Sequence, residues 1–222
     1  MGVISIEHTD RLYWLGRYTE RVYTTNRFFA ECYDKMLDQL REAYDDFCRR
    51  LEIPNIYTSS KDFVRRYCFD SEDTNSIFSN LLRAYDNAVV LREAIGSETL
   101  SYVQLALYAM QRARLSDAPM LELQKVNDNI VAFWGMADDR ILDENTRNII
   151  KVGKRVERID LYARLHFSGA DMSREVSRLT GRLPRTQVKY DAARLAELRE
   201  FVKKEQIDYP AIVQLVGAVV QL

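Results

Sequence analysis

The sequence predicts an all-α protein, a bundle of long antiparallel helices with smaller helices toward the C-terminal end. Three observations carry that expectation. Only 8 Gly and 4 Pro occur in 222 residues, so long stretches run without a helix breaker. Apolar residues recur at spacings of three, four and seven, the period of one helix face. No segment shows the period-two alternation between turn signals that marks a strand.

The first helix is expected from Thr9 or Asp10 to about Leu51, with Gly16 the one breaker inside it. Leu12, Leu15, Val22, Phe29, Tyr33, Met36, Leu40 and Phe47 form its stripe. That gives one helix of roughly 40 residues, about 60 Å long at ~1.5 Å per residue. Pro54 and the Tyr57–Ser60 cluster end it, and a short second helix follows from about Lys61 to Tyr67. Asp73 or Thr74 is the expected cap of a third, which stops at Gly96. Ser97 is the expected cap of a fourth, and Pro119 falls in the first turn of a fifth that reaches about Met136. Asp143 caps a sixth that runs to His166, before Ser168-Gly169. Beyond Gly169 the character changes. The chain thus divides into a helical bundle over 1–169 and a C-terminal helical extension over 170–222. Short helices are expected there at Ser173–Thr180, Asp191–Glu205 and Pro210–Leu222.

Composition narrows the function classes. Hydrophobic residues at 47% and charged residues at 29% are those of a globular chain. A net charge of −1 gives no strong general attraction to nucleic acid or acidic membranes. Cys32, Cys48 and Cys68 are odd in number without a CxxC pair, and read as reduced core thiols in a cytoplasmic protein. Met1–Asp10 carries Glu7 and Asp10 and does not resemble a secretory leader. Ala211–Leu222 is shorter than the ~20 residues of a membrane span. The two histidines, His8 and His166, complete no Glu-x-x-His or HExxH motif, and His166 reads as a favourable charge at a helix end. Neither a Walker A loop nor a GxSxG elbow occurs. No metal or cofactor is expected, and a catalytic role is not favoured. Glu20 or Glu157 would be the group for any general acid–base work. Arg174, Arg178 and Arg182, followed by Arg185, Lys189, Arg194 and Lys203-Lys204, form one locally basic region that reads as a solvated helix face.

The most informative feature is a repeated pattern. The first helix holds Gly16-Arg17-Tyr18-Thr19-Glu20-Arg21, then Arg27; the sixth holds Gly153-Lys154-Arg155-Val156-Glu157-Arg158, then Arg164. Gly, Glu and the last Arg lie on one line of a helix, at offsets of four and seven. A helical Gly costs about 1 kcal/mol relative to Ala, so its use twice at one place signals a close backbone approach. A Glu one turn further on then sits where the helices nearly touch. An unpaired buried charge costs several kcal/mol, and Arg offers a planar fork that fits a carboxylate at two points. The expectation is a buried polar seam joining the two helices, either architectural or binding a carboxylate, phosphate or partner peptide.

These residues also carry a resemblance. Leu12-Tyr-Trp-Leu-Gly-Arg-Tyr-Thr-Glu-Arg21 and Val152-Gly-Lys-Arg-Val-Glu-Arg-Ile-Asp160 resemble the two signature segments of the alpha-E family, bacterial helical domains named for a Glu-Arg motif. Asp86-Asn87-Ala88 with Arg92 resembles the family's central segment, and Phe133-Trp-Gly-Met-Ala-Asp138 the segment before the second motif. The likeness spans roughly residues 6 to 167. Tyr85 and Val89 stand where the family usually has Arg, Thr24 where it has Asn, and Lys154 where it has Arg. The resemblance implies a seam or ligand site drawn from Arg17, Glu20, Arg21, Arg27, Asn87, Arg92, Lys154, Glu157, Arg158, Asp160 and Arg164. It also implies an accessory or scaffold protein of a peptide- or amide-bond-forming system, partnered by a circularly permuted ATP-grasp ligase and a transglutaminase-like peptidase. An enzyme that uses the seam on a carboxylate or amide substrate, and a plain helical adaptor, are the rival readings. Nucleic acid is not expected as a partner, and homo-oligomer formation is left open.

Overall fold

Why the chain is helical is visible at the helix ends, where short polar side chains meet the orphan amides. In the computed structural model, which describes residues 6–38 and 43–222, Ser59, Ser76, Asp143, Ser168, Asp191 and Asp208 each accept a hydrogen bond from an amide of the turn they open. The helices are α1 (Ile6–Leu37), α2 (Ala43–Leu51), α3 (Ser60–Phe69), α4 (Ile77–Val90), α5 (Arg92–Ile95) and α6 (Ser97–Leu115). They continue as α7 (Pro119–Arg140), α8 (Glu144–Arg164), α9 (Gly169–Arg182), α10 (Ala192–Phe201) and α11 (Tyr209–Gly217). Strand among the described residues is confined to β1 (Lys189–Tyr190), paired antiparallel with β2 (Val220–Gln221). The protein is all-α.

The described residues up to Glu20, together with Ile141–Leu222, make one compact unit, and Arg21–Arg140 makes a second. In the first unit α8 is packed by α9 and α11, and α10 lies against α9 and α11. Ile149, Val152, Val156 and Ile159 of α8 are fully buried. This helix ends in a Schellman motif. The Phe167 amide donates to the Tyr162 carbonyl at 2.9 Å and the His166 amide to the Ala163 carbonyl at 3.1 Å. His166 takes the left-handed position, with φ of 57°, that usually falls to glycine, and its ring stacks on Tyr209 with centroids 4.4 Å apart. Beyond Gly169, where the character of the sequence changes, α9 packs directly on α8.

In the second unit α6 and α7 form an antiparallel hairpin, held by Arg112–Glu122 near its turn and Arg140–Glu98 at the other end. Phe29, Phe47, Phe63 and Tyr67 fill the core between the second half of α1 and helices α2 and α3. The single 40-residue first helix is corrected here. α1 ends at Leu37 and α2 begins at Ala43; residues 39–42, the expected stripe residue Leu40 among them, lie outside the described residues. The rings of Phe28 and Phe47 stack with centroids 4.9 Å apart, whereas a straight helix would set these residues about 28 Å apart. The apolar period simply carries across a reversal of the chain. Two caps also differ. Ser76 caps α4 in place of Asp73 or Thr74, and Asp73 instead shapes the turn before it through the Asn75 amide. Ser97 caps nothing; its hydroxyl accepts from Arg92 Nε at 2.9 Å, after Gly96 has turned the chain at φ of 81°.

The three cysteines are buried and free, and burial pushes the thiols of Cys32 and Cys48 up to about 12. Among the described residues no helix is long and apolar enough to cross a membrane.

Candidate functional site: the Glu-Arg seam

Gly16 and Gly153 meet backbone to backbone. A Cβ built on Gly16 would fall well inside the Ile150 carbonyl oxygen, 2.9 Å from Ile150 C and Lys154 N. One built on Gly153 would fall inside the Tyr13 carbonyl oxygen, 3.3 Å from Arg17 N. The contact is reciprocal, since Tyr13 and Ile150 each stand three residues before their glycine, and Arg17 and Lys154 one after. The glycine contacts are thus related by a local two-fold, and because Glu20 meets Arg158 and Arg17 meets Glu157, all C-terminal to their glycines, α1 and α8 run in the same sense where they cross.

One turn beyond the glycines lie the two glutamates, both with 0% exposure. Arg158 grips Glu20 with a two-point fork, Nε to Oε1 at 2.6 Å and Nη2 to Oε2 at 2.8 Å. Arg17 donates Nε to Glu157 Oε2 at 2.6 Å and lies over the ring of Trp14, 4.8 Å from its centroid. Burial is the largest single effect and opposes the charge on both arginines. Glu157 with Tyr13 and Asp160 around Arg17, and Glu20 with Tyr162 and Glu175 around Arg158, together outweigh it, so both hold their protons more tightly than a free guanidinium. Asp160 extends the seam on α8, receiving Arg164 Nε at 2.9 Å, and burial, then Glu157, raises its pKa. Burial, above all, also raises the pKa of the Tyr13 hydroxyl beside Arg17.

The two-fold relation makes Lys154 the counterpart of Arg17, and Glu20 the counterpart of Glu157. Burial pushes the Lys154 ammonium down to about 6; Glu20 opposes this, while Arg158 and Arg155 add to it. An unfolded lysine titrates near 10.4. The folded state thus sheds this proton well before the unfolded state does, and the contribution of Lys154 to stability rises with pH between about 6 and 10. Its limiting slope is about 1.4 kcal/mol per pH unit, and below about 6 it vanishes because both states are protonated. Chemical denaturation at pH 6.5 and 8.5 should show the native protein gaining about 1–3 kcal/mol relative to Lys154→Met. Parallel pH profiles for the two proteins would refute the depressed pKa.

The structure brings together seven of the expected site residues: Arg17, Glu20, Lys154, Glu157, Arg158, Asp160 and Arg164. Arg21, Arg27, Asn87 and Arg92 belong to the second compact unit. There Arg27 is exposed, its guanidinium 5.5 Å from the Tyr23 ring, and Arg92 is exposed and bonded to Ser97. The Arg21 carbonyl accepts from the Thr25 hydroxyl at 2.7 Å, and the Asn87 carbonyl accepts the Leu91 amide that closes α4. Sequence reasoning missed Glu175 of α9, only 4% exposed. It accepts from Arg155 Nη1 and from Arg178 Nη1 at 2.7 Å, and lies 3.9 Å from Arg158 Nη1. Its signal was Arg155, which shares a helix face with Lys151 and Arg158. Also missed was the buried Asn26–Asn127 pair of the second unit, where Asn26 Nδ2 donates to the Leu123 carbonyl at 2.8 Å and to Asn127 Oδ1 at 3.1 Å.

Among the described residues no three His, Cys, Asp or Glu side chains come close enough together to hold a metal ion. The second unit carries an open groove of about 1040 Å³ whose floor includes Tyr33, Met36, Val64 and Phe69, and none of its lining residues belongs to the seam.

A helical protein built around a pair of reciprocal Gly–Glu–Arg segments is the class that this geometry defines. Residues 8–210 match the family model Alpha-E, described as a predicted alpha-helical domain with a conserved ER motif, and the chain belongs to that family. The match runs beyond Phe167, so the helices after Gly169 carry family character that their residues alone did not reveal. No curated protein and no solved structure matches the chain.

Proposed function

We propose that this protein is a non-catalytic accessory or scaffold protein of a bacterial, cytoplasmic system that forms or modifies peptide or amide bonds. It works with a circularly permuted ATP-grasp ligase, and a transglutaminase-like peptidase belongs to the same system. The partners follow from the family resemblance. The observation that supports the non-catalytic role is the commitment of the motif carboxylates. Both oxygens of Glu20 are taken by Arg158, and Glu157 is sealed under Arg17. A general acid or base must reach a reacting proton, and these groups are spent on joining two helices.

One observation favours the rival, an enzyme acting on a carboxylate or amide. Lys154, with its ammonium pushed down to about 6 beside Glu20, has the character of a catalytic amine. The two readings separate in one set of measurements. The tagged protein should co-purify with the ligase, change its rate of ATP turnover, and consume neither ATP nor amide substrate alone. Unaided turnover that is lost in Lys154→Gln while the fold persists would establish the enzyme instead. Failure to bind or affect the ligase, with no ligase gene beside this one, would remove the accessory role.

A further inference from the structure

The open groove of the second unit has no part in the seam. Its walls are the last turns of α1, the helix α3 and the connection from α6 to α7. Tyr33, Met36, Val64 and Phe69 stay only half-buried along it. Leu37, which also lines it, is 65% exposed, and Leu115, between the lining residues Arg114 and Ser116, is 87% exposed. A single exposed leucine is ordinary, but apolar side chains gathered in a concave site and rimmed by charge mark a surface that another molecule covers. At about 1040 Å³ the groove stands at the top of the range that takes a drug-sized molecule, so it has room for several side chains at once.

The charges around the groove set what can fill it. Lys61, Arg65, Arg66 and Arg114 line it, against the carboxylates Asp62 and Asp70. Both carboxylates are engaged within the chain. Asp62 accepts from the Thr58 amide and from Arg65 Nη2, each at 3.2 Å, and Asp70 Oδ1 accepts from the Glu72 amide at 2.9 Å. Arg66 stands 3.8 Å from Asp70 and 3.9 Å from Asp62. Lys61 on α3 and Arg114 on α6 remain, without an ion pair among the described residues. A positive surplus beside an apolar floor is complementary to an apolar ligand bordered by carboxylates. The lining residues lie in helices or in the connections between them, so they offer no strand edge to an extended peptide. A helix satisfies its own backbone and presents side chains at i, i+3, i+4 and i+7, which is the form that a groove of this kind receives.

We propose that this groove docks an amphipathic helix of a partner protein, its apolar face seated on Tyr33, Met36 and Val64 and its bordering acidic residues facing Lys61 and Arg114. A concave floor suits a helix and not the flat surface of a bilayer. The inference rests on neither the seam nor the ligase.

Selection against the full chain from a displayed library of amphipathic helices tests it, with Leu, Phe or Met along the stripe and Glu, Gln or Lys on its borders. Glu should be enriched over Lys. In fluorescence anisotropy the best synthetic helix should lose about tenfold or more in affinity when Lys61→Glu and Arg114→Glu are combined, and several-fold on Leu37→Ser. All three positions are exposed, and melting curves show whether each variant is folded; if the charge reversal melts early, Lys61→Gln with Arg114→Gln replaces it. A twin helix bordered by Lys should bind the charge-reversed protein better than the native one. Leu142→Ser, at a position 90% exposed in the first unit, should bind as the native protein does. Enrichment of no helix, a preference for Lys borders, or equal weakening by Leu142→Ser would overturn the proposal. So would sedimentation with phosphatidylserine vesicles that the helix does not displace, which assigns the face to a membrane. Dimerisation that Leu37→Ser abolishes would overturn it too, in favour of a second copy of this chain.

Discussion

Gly16→Ala should lower the stability of the protein by about 3 kcal/mol, although alanine is the better helix former by about 1 kcal/mol. Two effects oppose one another. The added methyl reduces the freedom of the unfolded chain and favours the helix. Against that, it would enter the space of the Ile150 carbonyl oxygen and lie 2.9 Å from Lys154 N, both of them backbone atoms of α8. A flexible side chain could turn aside, but a helix backbone cannot. The helices must separate, and Arg158–Glu20 and Arg17–Glu157, formed at 2.6 Å, must stretch with them. Overpacking alone costs about 1–3 kcal/mol, and the strained ion pairs carry the total to the top of that range or above. For a chain of this size that corresponds to a fall in melting temperature of roughly 6–12 °C. Gly153→Ala, against the Tyr13 carbonyl, should behave the same way. Gly181 and Gly135 supply the control, since a Cβ at either meets nothing within 4 Å. Alanine there should leave the protein as stable or raise its melting temperature. If all four variants behaved alike, the close contact of α1 and α8 would not exist in solution.

The seam was legible in the sequence because its cause is local and repeated. A glycine within a helix is unfavourable, so Gly16 and Gly153 in matching settings pointed to contact, and the glutamates one turn on had to be paired. What the pattern could not convey was which arginine serves which glutamate. Arg21 and Arg158 are equivalent in sequence, as are Arg17 and Lys154, and only the crossing of the helices assigns Arg158 to Glu20 and Arg17 to Glu157. Arg27 sits on the motif line by spacing, seven residues beyond Glu20, yet it belongs to the second unit and is exposed. The break after Leu37 was hidden for a different reason. Hydrophobic period reports which face is buried, not whether the axis continues, so Phe47 extended the stripe of α1 while lying on a helix folded back against Phe28. Glu175 was missed because only its partner Arg178 is near it in sequence, whereas Arg155 and Arg158, which tie it to α8, lie on another helix.

Glu20→Ala should cost about 3–5 kcal/mol, the usual consequence of leaving one member of a buried ion pair without the other. Arg158 is 13% exposed at its side chain and would keep the more distant carboxylate of Glu175, at 3.9 Å. The loss of Glu20 also removes the charge that most favours a proton on Lys154, so that lysine would add no compensating pair. Glu157→Ala should fall toward the lower end of the range, because Arg17 is 17% exposed and retains its place over the Trp14 ring. Glu20→Gln, which keeps the shape and one acceptor oxygen, should lie between wild type and Glu20→Ala. The decisive variant is the double replacement Glu20→Leu with Arg158→Met. Removing both charges together leaves no orphan, and apolar residues of similar volume commonly replace a buried pair at little cost. Denaturant titration should therefore place the double variant well above Glu20→Ala, with a coupling energy of about 2 kcal/mol or more. Additive losses would mean that the fork between Glu20 and Arg158 contributes nothing of its own. A double variant that is stable and still alters the ligase's ATP turnover would identify the seam as architecture, with recognition elsewhere on the surface. One that is equally stable but no longer engages the ligase would assign recognition to the charged pair itself.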